Sequence, residues 1–267
     1  MIKIIIDGAC GRMGKMIING VSQAEDMQLV GAIEMPNHPQ LGQDAGEIAG
    51  VGNLGVVVSS DLPAIIDNGD VIIEFTSPDA TLEHLQNVVD ADKAMVIATT
   101  GYADAEMRKL RELASKIRCV MSPNFSVGIS MLLKVVQDVA LVLGDDFDIE
   151  VVEAHHNMKK DAPSGTAIRL AEVLAEATHR DLNQVGTYGR HGMVGERPRS
   201  EIGVHAIRGG DIVGDHTVLF AGIGERIEIT HRAQSRETFS QAAFRAARWV
   251  VTAPRGLYDF TEVLFGD

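Results

Sequence analysis

The chain has few cysteines, few aromatic residues and no excess of positive charge. Its two cysteines, Cys10 and Cys119, are too few and too far apart for a disulfide framework or a cysteine-rich zinc site. Eight prolines and a 45% hydrophobic fraction exclude a disordered or fibrous chain. The 24 basic and 37 acidic residues give a net charge of −13, which disfavours nucleic acid and anionic lipid as partners. We therefore expect a globular protein of a reducing compartment, the cytoplasm by default.

Long hydrophobic runs are also missing from the sequence. Residues 1–7 form a short apolar run without a basic leader or a small-residue cleavage site, which predicts a strand rather than a signal peptide. No later run approaches the length that spans a bilayer, so we expect no membrane helix. At about 150 residues per domain, 267 residues correspond to about two domains or one large one.

Compact apolar runs alternate with amphipathic stretches over residues 2–123, which predicts parallel strands joined by crossover helices. The predicted strands are residues 2–6, 29–33, 56–58, 71–75, 95–98 and 119–121. The predicted helices between them are residues 14–21, 61–68, 79–89 and 104–116. This order is typical of a doubly wound parallel sheet of the α/β class.

The pattern changes after residue 125. A long apolar helix, a strand and a second helix are predicted over residues 129–143, 147–154 and 166–177. Residues 202–208, 213–221 and 226–230 are expected to form antiparallel hairpins joined by glycine turns. The irregular segment 181–201 has a length often found in lids. The alanine-rich stretch 238–251 predicts a last helix, which we expect to return to the first domain.

The first predicted strand leads into a glycine-rich loop, residues 8–14, and then into a helix. Glycines let the backbone approach a pyrophosphate, and the helix N-terminus supplies free N–H groups and partial positive charge. Glu34 ends the second predicted strand, twenty residues after Gly14, where a carboxylate can accept hydrogen bonds from an adenosine ribose. Ala9 departs from the usual glycine spacing, so a tight turn beside a solvated Glu34 is the alternative to a dinucleotide site.

The same residues bear on the choice of nicotinamide cofactor. The Glu34 carboxylate repels a 2′-phosphate, and Met35 stands where an NADP site favours arginine. We therefore expect NADH. Arg12 lies in the loop and could reach a 2′-phosphate, which leaves NADPH open as a second cofactor.

The most reactive side chains are concentrated in residues 155–166. Two imidazoles titrate near neutrality, and Lys159 can act as a cationic anchor or a proton donor. The sequence from Ser164 to Thr166 opens a predicted helix, where backbone N–H groups and hydroxyls suit a carboxylate. The local positive charge predicts an anionic substrate, such as a dicarboxylate.

Two alternatives apply to this segment. Adjacent histidines on a strand point to opposite faces, and no third ligand accompanies them at helical spacing, so we expect no metal. The lysines could instead be solvated charges, and His155 could be a buried residue with a structural hydrogen bond.

Residues 153–166 resemble the signature of the dihydrodipicolinate reductase family, the 4-hydroxy-tetrahydrodipicolinate reductases of the diaminopimelate route to lysine. The resemblance extends to residues 8–14, 98–101, 123–128, 208–211 and 231–233, and so to nearly the whole chain. It implies a Rossmann-like dinucleotide-binding domain over residues 1–126 with 236–267. It also implies a second α+β domain with a mixed or antiparallel sheet over residues 127–235, for substrate binding and assembly into a homotetramer.

The resemblance implies residue roles as well. His155 would be the general acid/base, Lys159 the proton donor and His156 a substrate contact, while Ser164, Gly165 and Thr166 would hold a carboxylate. The implied cofactor contacts are Gly8, Ala9, Cys10, Gly11, Arg12, Met13, Glu34, Ala98, Thr99, Thr100, Ser122, Pro123, Asn124 and Phe125.

We therefore expect a cytoplasmic NAD(P)H-dependent oxidoreductase that reduces a cyclic imine dicarboxylate. One alternative is another NAD(P)-dependent oxidoreductase of amino-acid metabolism, such as a semialdehyde or homoserine dehydrogenase. Neither cysteine is placed as an acylating nucleophile, which argues against the first of these. The other alternative is a non-catalytic module that senses NADH and has no need of His155 or Lys159.

Overall fold

The computed structural model describes residues 1–235 and 237–266. The chain divides into two compact units. Unit 1 contains residues 1–125 and the chain from residue 237, and unit 2 contains residues 126–235. Ser126, which the sequence placed in the first domain, caps the first helix of unit 2 by accepting a hydrogen bond from Ile129 N at 3.3 Å. The predicted boundary at residue 236 lies outside the described residues.

Unit 1 is built on a seven-stranded sheet in which every pair of neighbouring strands is parallel. Its strands are β1 (Ile2–Asp7), β2 (Met27–Ile33), β3 (Val58–Ser59), β4 (Val71–Glu74), β5 (Ala94–Ile97), β6 (Arg118–Met121) and β12 (Gly256–Tyr258). Their order across the sheet is β12-β6-β5-β4-β1-β2-β3. The predicted doubly wound sheet is confirmed, and the short strand β12 was missed.

Helices cover both faces of this sheet. They are α1 (Arg12–Gln23), α2 (Ala45–Ala49), α3 (Leu62–Ile65), α4 (Pro78–Asp90), α5 (Asp104–Ala114), α9 (Glu237–Val250) and α10 (Phe260–Phe265). Side chains of β1 alternate between two apolar clusters: Ile4 and Ile6 pack with α1 and α9, and Ile5 packs with α4 and α5. This alternation explains why strands buried on both faces are continuous apolar runs. The prediction that α9 is the last helix is wrong, because α10 follows it.

Unit 2 contains a five-stranded mixed sheet. Its strands are β7 (Asp148–His155), β8 (Gly186–Tyr188), β9 (Ile202–Arg208), β10 (Gly214–Ala221) and β11 (Arg226–Ala233), in the order β11-β10-β7-β9-β8. Strand β10 pairs antiparallel with β11 and β7, whereas β9 pairs parallel with β7 and β8. The predicted mixed sheet is therefore confirmed.

The predicted hairpin between β9 and β10 is wrong, because β7 lies between these two strands. Strand β9 instead joins the other edge of β7, where Glu153 is opposite Ala206 and His155 is opposite Arg208. The chain then crosses the end of β7, where Gly209 N donates to the His155 carbonyl oxygen at 2.9 Å. This crossing brings residues of β9 and of the glycine turn to the end of β7 that carries the histidines.

The helices of unit 2 are α6 (Val127–Leu143), α7 (Gly165–Ala177) and α8 (Leu182–Val185). Residues 127–146 are long and apolar enough to cross a membrane by length and composition, so the expectation that no run approaches that length is wrong. Only part of this apolar segment is buried within unit 2. Ile129, Leu132, Val136 and Ala140 of α6 are buried in one core cluster with residues of α7 and the sheet.

The segment predicted as one irregular loop, residues 181–201, contains α8 and β8. Its remaining part is fastened to β7 by arginines. Arg197 donates to Glu150 at 2.9 Å and to Asp148 at 2.7 Å, and Arg190 donates to both Glu150 oxygens at 2.7 and 3.0 Å. Burial opposes the charge of Glu150, yet these arginines and His205 lower its pKa to about 2.

Candidate active site

The glycine-rich loop of unit 1 has the close backbone approaches that exclude side chains. Gly8 has φ +84°, and a Cβ there would lie 2.4 Å from the Phe75 carbonyl oxygen. A Cβ on Gly14 would lie 2.2 Å from the Gly8 carbonyl oxygen. Helix α1 begins directly after this turn, with Gly11 as a cap that makes no side-chain hydrogen bond and with no acidic residue in the first turn. The helix N-terminus therefore presents N–H groups and partial positive charge, as a pyrophosphate requires.

Glu34 follows β2 and is tied to the same loop. Its Oε2 accepts a hydrogen bond from Cys10 N at 3.0 Å, and its Oε1 accepts one from Met35 N at 2.9 Å. Each carboxylate oxygen can accept more than one hydrogen bond, so Glu34 retains acceptor capacity for a ribose diol. Cys10 and Glu34 are half-buried, and Arg12 is exposed beside them at the start of α1. The residues that are present fit a dinucleotide.

The other predicted cofactor residues follow β5 and β6, at the carboxyl edge of the parallel sheet where ligands bind in folds of this kind. Thr100 and Pro123 are exposed there. Ala9 and Phe125, in contrast, have side chains in the core, and the Phe125 ring lies 5.1 Å from that of Phe260. These two could contact a cofactor through the backbone only. Ser122 is buried and donates through Oγ to the Asn124 carbonyl oxygen at 3.2 Å.

A buried polar cluster at this edge was missed by sequence reasoning. Glu74 is fully buried at the end of β4, and its Oε1 accepts hydrogen bonds from Thr76 and from Thr99 Oγ1, the latter at 2.6 Å. In β1 the neighbouring residue is Asp7, which is also buried and contacts His84 Nδ1 at 2.5 Å. Burial raises the pKa of both carboxyl groups. Burial opposes the charge of His84, but Asp7 raises the pKa of that imidazole above its ordinary value.

In unit 2 a fully buried carboxylate organises the predicted catalytic segment. Glu153 Oε2 contacts His155 Nδ1 at 2.6 Å, and its Oε1 accepts the Ser164 N–H at 3.0 Å. Arg208 of β9 binds both oxygens of Glu153 at 2.8 Å. Burial would raise the pKa of Glu153, but Arg208, His155 and Ser164 N together lower it below its ordinary value. Both Glu153 and Arg208 lie in the segments that carry the family resemblance, but neither is among the site residues predicted from the sequence.

The contact with Glu153 through Nδ1 fixes the orientation of the His155 ring, and Nε2 is the ring nitrogen that does not contact Glu153. A Cβ on Gly214 would lie 3.0 Å from that Nε2, so a glycine at position 214 leaves room beside it. The His155 ring also lies 5.2 Å from the ring of His216, at 74°. Burial, and then the neighbouring His155, lower the pKa of His216 to about 4, so His216 is neutral near pH 7. One of two neighbouring imidazoles is thereby kept uncharged.

The three residues predicted to hold a carboxylate lie at the start of α7 in different environments. Ser164 is buried, and its Oγ accepts from Ala167 N at 3.2 Å and contacts His216 Nε2 at 3.1 Å. The hydroxyl therefore caps α7, and the Ser164 amide is already bonded to Glu153. A contact of Ser164 with substrate stays a prediction. Gly165 is exposed and Thr166 is half-buried in the first turn of α7, which has no acidic residue.

Lys159 and His156 follow β7 in a turn where Lys159 N donates to the His156 carbonyl oxygen at 3.1 Å. The Lys159 ammonium lies 2.9 Å from Asp161 Oδ2, and this contact lowers the pKa of Asp161. The Asp161 carbonyl oxygen accepts a hydrogen bond from Arg208 at 2.6 Å. Arg208 therefore connects the turn that carries Lys159 to the buried Glu153.

The comparisons with known proteins cover both units. Residues 2–125 match the family model described as dihydrodipicolinate reductase, N-terminus, and residues 128–264 match the corresponding C-terminus model. The chain is 52% identical over 264 residues to the 4-hydroxy-tetrahydrodipicolinate reductase of Citrifermentans bemidjiense, with 99% of each chain covered. It is 53% identical to the protein of the same name from Trichlorobacter lovleyi, again with 99% of each chain covered.

Two solved structures extend the comparison. A dipicolinate-bound dihydrodipicolinate reductase from Paenisporosarcina sp. TG-14 superimposes with a TM-score of 0.73 at 25% identity and covers 97% of each chain. An amine dehydrogenase from Mycobacterium smegmatis has a TM-score of 0.59 at 13% identity, covers 97% of this chain and 95% of its own, and shares the fold. The family models and the full-length relatives show that this chain belongs to the dihydrodipicolinate reductase family.

Proposed function

We propose that the protein reduces 4-hydroxy-2,3,4,5-tetrahydrodipicolinate to 2,3,4,5-tetrahydrodipicolinate with NAD(P)H, in lysine biosynthesis via diaminopimelate. The observation that carries this proposal is the buried Glu153 that joins His155, Arg208 and the start of α7 in a member of this reductase family. We infer the substrate from the name of the full-length relatives, 4-hydroxy-tetrahydrodipicolinate reductase. The side chains supply the means of binding and protonating it.

The glycine loop, the N-terminus of α1 and Glu34 are the residues that would hold the cofactor. When bound, the reduced nicotinamide supplies a hydride. We favour NADH, because the Glu34 carboxylate accepts hydrogen bonds from two backbone amides and would repel a 2′-phosphate. Met35 is 64% exposed where an arginine would favour NADPH, and Arg12 is the one cation of the loop.

The substrate is a dianion, and unit 2 offers it complementary groups. Gly165 and Thr166, at the start of α7, would bind one carboxylate through backbone N–H groups and the threonine hydroxyl. His156 would contact the substrate from the turn after β7. Ser164 supports this site by capping the helix.

Reduction of a conjugated imine leaves negative charge on the ring, which must be stabilised and protonated. Lys159 would donate that proton, because an ammonium has three donors and can keep its contact with Asp161 while it binds substrate. His155, oriented by Glu153, would act as general acid/base through Nε2. Water is lost from the 4-hydroxyl position over the whole reaction.

We further propose a cytoplasmic homotetramer. Both cysteines are free thiols, which suits a reducing compartment. The sheet of unit 2 has the edge strand β11, and Ile207 and Ile227 expose 51% and 38% of their surface on that sheet. Unpaired strand edges and exposed apolar residues are features of surfaces that associate. Sedimentation velocity would measure the assembly directly.

The deciding experiment follows NADH and NADPH oxidation separately, with the substrate made in situ from pyruvate and aspartate semialdehyde. We expect turnover with both cofactors to require this substrate, with NADH the better of the two. Lys159→Ala should lower kcat about 100-fold or more while leaving the NADH dissociation constant unchanged. Unchanged turnover in that variant would contradict the proposed role, and NADH binding without any turnover in the native chain would favour a sensing module.

A further inference from the structure

Three metal-ligating side chains come together beside the glycine loop. One ligand atom each of Cys10, Glu34 and His38 lies within 4.8 Å of the others, and all three residues are half-buried. Within residues 1–235 and 237–266 this is the one such group of histidine, cysteine and carboxylate side chains. We propose that Cys10, Glu34 and His38 bind a thiophilic divalent cation, Zn²⁺ in particular, at the place where the cofactor's ribose would bind.

The donor set identifies the class of cation. Thiolate, imidazole and carboxylate are the three protein ligands of Zn²⁺, and a site with three of them leaves a fourth position for water. A sulfur ligand disfavours Mg²⁺ and Ca²⁺, which prefer oxygen. The site therefore selects a soft or borderline ion.

The surroundings hold two of these ligands in place. Glu34 is oriented by the amides of Cys10 and Met35, at 3.0 and 2.9 Å, which act as outer-shell partners of the carboxylate. The His38 ring accepts a long hydrogen bond of 3.3 Å at Nδ1 from Gln40 N. Metal binding at either ring nitrogen would cost at most this weak contact or a change of tautomer.

The thiol must lose its proton when the metal binds. A thiol that coordinates Zn²⁺ is deprotonated, so binding through Cys10 releases a proton to solvent.

Occupancy of this site has a consequence for the cofactor. Each Glu34 oxygen already accepts one amide hydrogen bond, so the oxygen that ligates the metal has no further lone pair for a ribose hydroxyl. Zn²⁺ and NAD(P)H would thus compete for Glu34, and each would weaken the other's affinity by the same factor. This antagonism rests on the proposed function, whereas metal binding itself does not.

The first test uses the full chain without cofactor and Cd²⁺ as the probe, because a Cd²⁺–thiolate bond gives an ultraviolet charge-transfer band. Cys119 is fully buried and cannot contribute without unfolding. We expect one Cd²⁺ per chain, loss of the band in Cys10→Ser, and an affinity at least tenfold weaker in His38→Gln. The exposed His191 provides a matched control, since His191→Gln should leave both band and affinity unchanged.

Two outcomes would overturn the metal site: a band that persists in Cys10→Ser, or an affinity that does not depend on His38. Circular dichroism of each variant establishes that its fold is intact. The second test adds NADH before Cd²⁺ and measures the affinity for the metal again. If Cd²⁺ binds as expected but NADH does not weaken it, the proposed cofactor position fails; if NADH binds and Cd²⁺ does not, this inference alone fails.

Discussion

Glu74 in unit 1 and Glu153 in unit 2 are both strand carboxylates with no exposed surface, and they differ in their partners. Glu74 accepts from threonine hydroxyls and an amide and lies beside a second buried carboxyl group, Asp7. Glu153 has the guanidinium of Arg208 on both of its oxygens. Burial raises the pKa of Glu74, whereas the partners of Glu153 outweigh burial and lower its pKa.

The comparison teaches that burial does not by itself decide the charge of these groups. A hydroxyl stabilises a carboxylate less than a bidentate guanidinium does. Unit 2 therefore keeps a negative charge inside its sheet, where it can orient His155 and compensate Arg208. Unit 1 has no cation on Glu74 among the contacts described, and burial raises the pKa of that carboxyl group.

The strongest way to break the comparison is to remove the cation. Arg208→Met should leave Glu153 buried without its main partner and lower the free energy of unfolding by about 3–5 kcal/mol. Urea denaturation measures this change. Arg232→Met is the matched control, because Arg232 is 69% exposed in its side chain and pairs with Asp215 at 3.4 Å; its loss should cost less than about 1 kcal/mol. Equal effects of the two substitutions would contradict the assigned importance of Arg208.

Removing the charge but keeping the shape tests the orienting role of Glu153. Glu153→Gln should lower kcat about 100-fold, because the His155 ring loses the carboxylate that fixes its tautomer. The NADH dissociation constant should not change, since Glu153 lies outside the residues expected to bind cofactor. Steady-state kinetics with a pH profile and a fluorescence titration measure the two quantities. Glu228→Gln, at a half-exposed side chain of the same sheet, should be silent. A silent Glu153→Gln would remove the basis for a positioning role.

A third carboxylate, Glu34, sharpens the comparison because it is half-buried and accepts hydrogen bonds from two backbone amides. Changing Glu34→Gln together with Met35→Arg should raise the ratio of kcat/KM for NADPH over NADH about tenfold, since a repulsive charge is lost and an arginine gained. The ratio is measured with the same preparation of substrate. The exposed Glu47→Gln is the control. A ratio that stays constant would show that Glu34 does not face the ribose.

The smallest expected effect is a pair of opposite pH slopes. Glu74 binds its proton more tightly when folded, so its stabilisation is complete below its ordinary pKa of 4.5 and is lost as pH rises through its raised folded pKa. Glu153 contributes stability that is complete above its ordinary pKa of 4.5 and is lost as pH falls through its lowered folded pKa.

Unfolding free energies from pH 3 to pH 8 test these signs. Relative to the native chain, Glu74→Gln should become more stable as pH rises, and Glu153→Gln should become less stable. The exposed Glu47→Gln is measured alongside them as the control. Slopes of the same sign for the two buried residues would show that the guanidinium does not set the difference.

Most of the fold could be predicted from the sequence, because buried parallel strands are short apolar runs and local composition is enough to find them. Strands β8 and β12, of three residues each, are too short to give such a run. The position of β9 could not be inferred either. A strand followed by a glycine turn favours a hairpin locally, and only tertiary packing placed β7 between β9 and β10.

The candidate site divides in the same way. His155, Lys159 and Glu34 could be named as candidates because their residue types, at or just after the end of a strand, suggest chemistry, and their roles stay predictions. Glu153 could not, since an acidic residue within a strand is most often solvated. Its partner Arg208 lies 55 residues away, and their contact depends on the parallel pairing of β7 with β9.

The central place of β7 constrains how the chain can change in length. Because side chains alternate along a strand, one residue inserted within β7 ahead of Glu153 would turn both Glu153 and His155 to the opposite side. Strands on both flanks prevent β7 from sliding to compensate. In a library of single-residue insertions, an insertion in this strand should therefore lower activity as much as the loss of His155 does. Length variation among descendants of this chain should accumulate in the connections between strands.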